Sequence, residues 1–296
     1  MEGVAIMPTF KTADGVELFY KDWGVGRPVL FVHGWTLGAD MWEYQLTALA
    51  DRGLRCVAYD IRGAGRSDQP ADGNDPDTLA DDLAALMEYL DLREAMLVGH
   101  SMGAAQVLRY LARHGSERVS RVVFVSIVAP MLHRNADNPG GVDPASTRQT
   151  PAALATDRGR FATALADPWF GNGLPGVTVS RELVRWAVGL FLQSSAKATI
   201  DMYREFAYHD FRPDLGAVDV PTMVIHGDSD AMVPLEQSSA KVAAAVPTAE
   251  LTMYETPRTD CSSHTRTGST PTCSPSPNSD LASASIRVHS TRPRKS

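Results

Sequence analysis

Ser101 lies in the pentapeptide Gly99-His100-Ser101-Met102-Gly103, directly after the apolar run Ala95-Met96-Leu97-Val98. A Gly-x-Ser-x-Gly stretch between a short buried strand and a helix makes a sharp turn. Its glycines are needed because a side chain beside the serine would meet the strand or the helix. The turn lifts the hydroxyl to the top of a sheet, where it can attack an acyl carbon. A serine hydroxyl is a weak nucleophile at its ordinary pKa, so it needs a base, usually a histidine oriented by a carboxylate. The chain supplies a serine and suitable carboxylates, but no histidine stands at the end of the chain where the base is expected.

The elements around the pentapeptide have the right character. Val29-Leu30-Phe31-Val32 is a continuous apolar run ending in His33-Gly34-Trp35, and Arg55-Cys56-Val57-Ala58-Tyr59-Asp60 is a second. Between them Trp42, Leu46, Leu49 and Ala50 recur at helical spacing. A helix after Asp77-Thr78 carries Leu79, Leu83, Leu86, Met87 and Leu90 on one face and leads into the strand before Ser101. Gln106 to Arg113 then reads as helix, Arg121 to Ile127 as strand, and Pro221 to His226 as another buried strand ending in Gly227-Asp228-Ser229-Asp230. Alternating strands and helices predict an α/β fold, a mostly parallel sheet with helices on both faces.

From about Pro130 to Asp214 the alternation breaks. Helices carrying Trp169, Phe170, Trp186, Phe191, Phe206 and Tyr208 follow a Pro- and Gly-rich start. An insertion of this size between core strands is expected to form a helical lid, with aromatics either lining an apolar acyl pocket or simply packing.

Composition excludes several classes. With 296 residues, 44% hydrophobic and 21% charged, the chain can bury one large core with an inserted subdomain. The formal charge of -7 argues against a nucleic-acid surface. No apolar stretch approaches the roughly 20 residues that span a bilayer. The first eight residues lack a basic start followed by an apolar segment, so a cytoplasmic location is expected. Three cysteines, Cys56, Cys261 and Cys273, form neither a disulfide framework nor a metal-ligand spacing. The expected partner is a small-molecule ester or acyl substrate, with no nucleic acid and no membrane.

Four motifs in order, His33-Gly34-Trp35, Asp60-Ile61-Arg62-Gly63-Ala64-Gly65-Arg66-Ser67-Asp68, Gly99-His100-Ser101-Met102-Gly103 and His226-Gly227-Asp228-Ser229-Asp230, resemble the α/β-hydrolase family. Within it the sequence is most similar to cofactor-free bacterial haloperoxidases, also called perhydrolases or aryl esterases, from about Met7 to Glu255. Met7-Pro8-Thr9 resembles the usual start of such proteins, which makes Met1 to Ile6 an upstream extension. The resemblance implies Ser101 as nucleophile and Asp230 as the acid, with Asp228 a turn former. It also implies backbone amides of Trp35 and Met102 at the oxyanion, with their side chains secondary. His33 and His100 are assigned to structure, no cofactor and no metal are implied, and peroxide joins water as an acyl acceptor. An epoxide- or halide-cleaving activity is disfavoured, because those chemistries use a carboxylate where this chain has Ser101.

The histidine is expected after the strand Ala249 to Tyr254. There the composition changes: 22 of the 41 residues from Thr256 to Ser296 are Ser, Thr or Pro, and six Lys or Arg face two Asp. That net +4 leaves -11 on the preceding 255 residues, and a tail of this composition is expected to be disordered. Reverse translation gives a sharper account. The frame read from the third base of each codon permits Ala-Pro-His-Gly-Leu-Phe-Val-Thr-His-Ala-Asp-Arg-Leu-Asn-Ala-Asp-Leu-Leu-Ala-Phe, similar to a histidine loop and final helix of this family. A frameshift near codon 256 is therefore the expected origin of the tail; otherwise His264 or His289 would have to serve as base. The resulting partition is core 1–129, helical lid 130–214, core 215–255 and tail 256–296. The expected function is serine-dependent esterase-type hydrolysis with possible perhydrolysis, crippled in the chain as written; the alternative is a catalytically dead ligand-binding protein of the same fold.

Overall fold

The computed structural model describes residues 7–174, 177–254 and 293–294. In chain order the strands are β1 (Thr9–Lys11), β2 (Glu17–Trp23), β3 (Arg27–Val32), β4 (Leu54–Tyr59), β5 (Ala95–His100), β6 (Val119–Val125), β7 (Thr222–Gly227), β8 (Ala249–Tyr254) and the two-residue β9 (Pro293–Arg294). They form one sheet in the order β1-β2-β4-β3-β5-β6-β7-β8-β9. β3 to β8 run parallel, while β1, β2 and β9 pair antiparallel at the two edges.

Alternation along the parallel strands sends successive side chains to opposite layers. Leu30 and Val32 of β3 enter the cluster built by α2 (Pro76–Tyr89) and α3 (Met102–His114), whereas Val29 and Phe31 pack with Trp42, Leu46 and Leu49 of the 3-10 turn Ala39–Trp42 and α1 (Glu43–Ala50). Burial on both faces explains why these strands read as unbroken apolar runs. α8 (Ser239–Ala245) precedes β8.

One expectation needs correction. α2 begins at Pro76, before Asp77-Thr78, because the Asp75 carboxylate accepts the Thr78 amide at 3.0 Å and Pro76 takes the first-turn position that needs no N–H donor. β2 carries only the short apolar stretch Leu18-Phe19-Tyr20, and neither β1 nor β2 is marked by the sequence patterns above. Lys21 of β2 is buried against Asp40 and Glu43, so a charge stands where a hydrophobe signals a strand.

Between β6 and β7 lie α4 (Pro144–Thr156), α5 (Arg158–Trp169), α6 (Arg181–Leu192) and α7 (Ala196–Tyr208). Each starts at a side-chain cap: Asp143, Asp157, Ser180 and Ser195 accept amides of the following first turn. Among the described residues no helix is long and apolar enough to cross a membrane. Apart from Pro293–Arg294, the tail 256–296 lies outside the described residues. So do Cys261, Cys273, His264, His289 and the expected position of the base.

Candidate active site

Ser101 sits between β5 and α3 with φ 53° and ψ -116°, a conformation that costs a non-glycine residue energy and turns its side chain out of the sheet. The backbone fixes it from both sides. The Ser101 amide donates to the Val125 carbonyl at 2.8 Å, and its carbonyl accepts from the Ala104 amide at 3.1 Å and the Val128 amide at 3.3 Å. The flanking glycines are required by close approach. A Cβ on Gly99 would lie 2.5 Å from the Ala104 Cα, and one on Gly103 would lie 2.4 Å from the His33 carbonyl oxygen.

Met102 opens α3, so its amide has no acceptor within the helix and carries the positive end of the helix dipole. Trp35 follows His33-Gly34 in the loop after β3. Two buried groups shape that loop. His33 donates from Nδ1 to the Gly34 carbonyl (2.7 Å) and accepts at Nε2 from the Ile61 amide (3.0 Å), tying the loops after β3 and β4 together. Burial pushes its pKa down, which keeps the ring neutral. Asp60, fully buried, accepts from the Ala39 amide (2.6 Å), the Arg66 amide (2.8 Å) and Arg66 Nε (2.9 Å). Gly38 and Gly65 lie against this carboxylate.

The Trp35 side chain has a packing role that the sequence patterns do not mark. Its indole meets Phe161 of α5, Phe191 of α6 and Tyr203 of α7, with ring centroids 6.2, 5.4 and 5.2 Å away. Nε1 donates to the Thr199 carbonyl at 2.9 Å. Two further bonds, from the Ser195 amide to the Gly63 carbonyl (2.7 Å) and from Ser194 Oγ to the Thr36 carbonyl (2.8 Å), anchor the start of α7 to the same loops. Nothing in linear spacing links Trp35 to residues more than a hundred positions downstream, so this bridge was not legible in the sequence.

Asp230 lies in the loop after β7, where Oδ1 accepts the amides of Met232 and Val233, both at 2.9 Å. His226 contacts Asp230 Oδ2 from Nε2 at 3.4 Å. That nitrogen donates to the Val233 carbonyl (2.7 Å), so Nδ1 accepts from Ser239 Oγ (2.7 Å). Burial depresses the His226 pKa, and the ring is neutral. With both nitrogens committed, His226 holds the loop that carries Asp230. Asp228 is exposed, accepts from Ser229 Oγ at 2.9 Å and donates its amide to the Tyr254 carbonyl at 3.0 Å, as a turn former does. His100 packs over Gly34 and edge-on to Trp42, at 6.4 Å between ring centroids.

Ser101, His100 and Asp230 all border one cavity of about 250 Å³. Its floor comes from strand ends of the sheet; its wall comes from α5 and α6 and the segment between them. Of the six aromatics marked in the insertion, Trp169, Phe170 and Trp186 line it. Phe191 and Phe206 are buried in packing, and Tyr208 stacks on His133 at the surface. Cys56 is free and buried, its thiol pKa pushed up to about 11 by desolvation.

Comparison with known proteins agrees with this geometry. Residues 27–258 match the model of the alpha/beta hydrolase fold family. A non-heme chloroperoxidase of Kitasatospora aureofaciens is 41% identical over 251 residues, 84% of this chain and 90% of that protein. A bifunctional esterase/perhydrolase of Acinetobacter calcoaceticus is 39% identical over 248 residues, 82% and 89% of the two chains. Among solved structures, a bromoperoxidase from Bacillus anthracis superposes with a TM-score of 0.80 at 36% identity, covering 84% of this chain and 91% of the other. The chain belongs to the α/β-hydrolase family, among the proteins of non-heme haloperoxidase type.

Proposed function

We propose that this chain is a serine-dependent acyl-transfer enzyme, an esterase-type hydrolase for which peroxide is an alternative acceptor. The observation that carries the reading is the strained Ser101 elbow opening onto a cavity that Asp230 also borders. In the reaction Ser101 Oγ attacks the ester carbonyl, the alkoxy group leaves with a proton, and the acyl group rests on the serine until water or peroxide takes it. Amides of Trp35 and Met102 stabilise the oxyanion, each worth roughly 3 kcal/mol of transition-state stabilisation. Asp230 orients the imidazole that moves the proton. The names of the two relatives, a chloroperoxidase and an esterase/perhydrolase, support both acceptors. A peracid formed with peroxide would oxidise halide.

The reading places the base after β8, and in the chain as written that region is the Ser-, Thr- and Pro-rich tail. The several kcal/mol that orientation supplies require a base held beside the serine, and the written sequence puts no histidine directly after β8, so the written chain is slow. A fluorophosphonate probe tests both parts. The chain with the frame restored after codon 255 labels at Ser101, the chain as written labels slower by orders of magnitude, and Ser101→Ala abolishes labelling in both. Labelling that survives Ser101→Ala refutes the nucleophile, and equal rates refute the crippled state.

A further inference from the structure

The charge and shape of the cavity say which substrates it admits. Among the described residues that line it there is no lysine or arginine, and Asp230 is the single carboxylate. The wall is otherwise built from side chains such as Leu37, Met41, Trp169, Leu183 and Leu190. A substrate bearing its own carboxylate would meet like charge and, among the described residues, no compensating cation in a low-dielectric pocket.

The mouth is marked by apolar residues that line the cavity and are also exposed: Tyr44 of α1 (60%), Trp186 of α6 (36%) and Met232 of the loop after β7 (41%). Tyr44 and Trp186 meet edge to face, with centroids 6.4 Å apart and planes at 82°. Their contact joins the sheet domain to the inserted helices across the opening. Inside, about 250 Å³ compares with the roughly 150 Å³ apolar cavity that holds benzene, leaving room for one ring and an ester group.

We propose that the Tyr44–Trp186 pair is the size gate of this site, and that the cavity behind it selects uncharged substrates over carboxylate-bearing ones. The inference rests on the esterase reading for what is turned over, but not for what is bound. Its test is therefore a binding measurement on the full chain, equilibrium dialysis with two anilides that are not cleaved on its timescale. N-phenylacetamide binds about tenfold tighter than N-phenylsuccinamate at low ionic strength, and the gap narrows in high salt. Met232→Arg, a change at an exposed position, closes that gap by bringing a cation to the mouth.

Trp186→Ala, and Tyr44→Ala on the opposite side, improve binding of N-(biphenyl-4-yl)acetamide relative to N-phenylacetamide by about tenfold, and Trp186→Phe largely restores the original ratio. Equal binding of neutral and anionic anilides overturns the charge selection. Unchanged size ratios in both alanine variants overturn the gate. Failure of Ser101 to label with fluorophosphonate in the chain with the frame restored, while the neutral preference persists, refutes the esterase reading and leaves the selectivity standing.

Discussion

Ser101 is held in a conformation its own backbone disfavours, and its neighbours supply the compensation. The donors and acceptors that lock it come from Val125, Ala104 and Val128, and the space it needs exists because Gly99 and Gly103 have no Cβ. Both face backbone atoms that cannot swing aside, and Gly103 has the nearer contact, at the His33 carbonyl oxygen. Gly103→Ala is therefore expected to lower stability by about 1–3 kcal/mol, the range for overpacking, and to slow Ser101 labelling further. Urea denaturation with parallel probe labelling reads both; an unchanged midpoint would contradict the close approach. At this scale the sequence was legible, because the pentapeptide spells out its own steric needs. The placement of His33 was legible as well. The role of His226 was not, since a histidine at a strand end looks the same whether it binds substrate or, as here, holds the loop of Asp230 through Ser239 and Val233.

At the scale of elements, the main strands and helices followed from continuous apolar runs and 3.6-residue periodicity, and the sheet order places their ends at one site. β1 escaped because it is a three-residue edge strand, and β2 because its apolar stretch is short and Lys21 follows it, neutralised by Asp40 and Glu43. The larger gap is Trp35. Its backbone belongs to the loop after β3, while its indole is clasped by three helices of the insertion. Trp35→Phe keeps most of the ring packing but loses the bond to Thr199, an expected cost of about 1 kcal/mol. Trp35→Ala is expected to cost about 3–5 kcal/mol and to loosen the inserted helices. Hydrogen exchange of α5 to α7 checks this: amides of those helices should lose protection in Trp35→Ala before the sheet does. Uniform loss would mean that the indole stabilises the fold as a whole and not this junction.

For the whole molecule, pH is the informative variable. His33 and His226 are buried and neutral, and burial sets both folded pKa values below the unfolded one. As pH falls below about 6.5, the unfolded chain takes up protons that the folded chain refuses, so stability falls with pH in that window. Each such histidine adds a slope of up to ~1.4 kcal/mol per pH unit. Thermal melts between pH 7.5 and 5 should show the loss, and His226→Asn should flatten it; a flat wild-type profile would contradict the buried neutral rings. The sequence could suggest that His33 is structural but not the charge state of either ring, which depends on burial that only the folded chain reveals.

The inserted helices are attached unequally. The start of α7 is bolted to the loops beside the serine through Ser194, Ser195 and Thr199, while α5 and α6 supply the cavity wall. Anyone grafting a new pocket onto this scaffold has a defined cut: exchange the chain from α5 through α6, stop before Ser194, and the anchor beside the reacting serine travels with the host. A chimera joined at the ends of the whole insertion would carry off that anchor together with the wall.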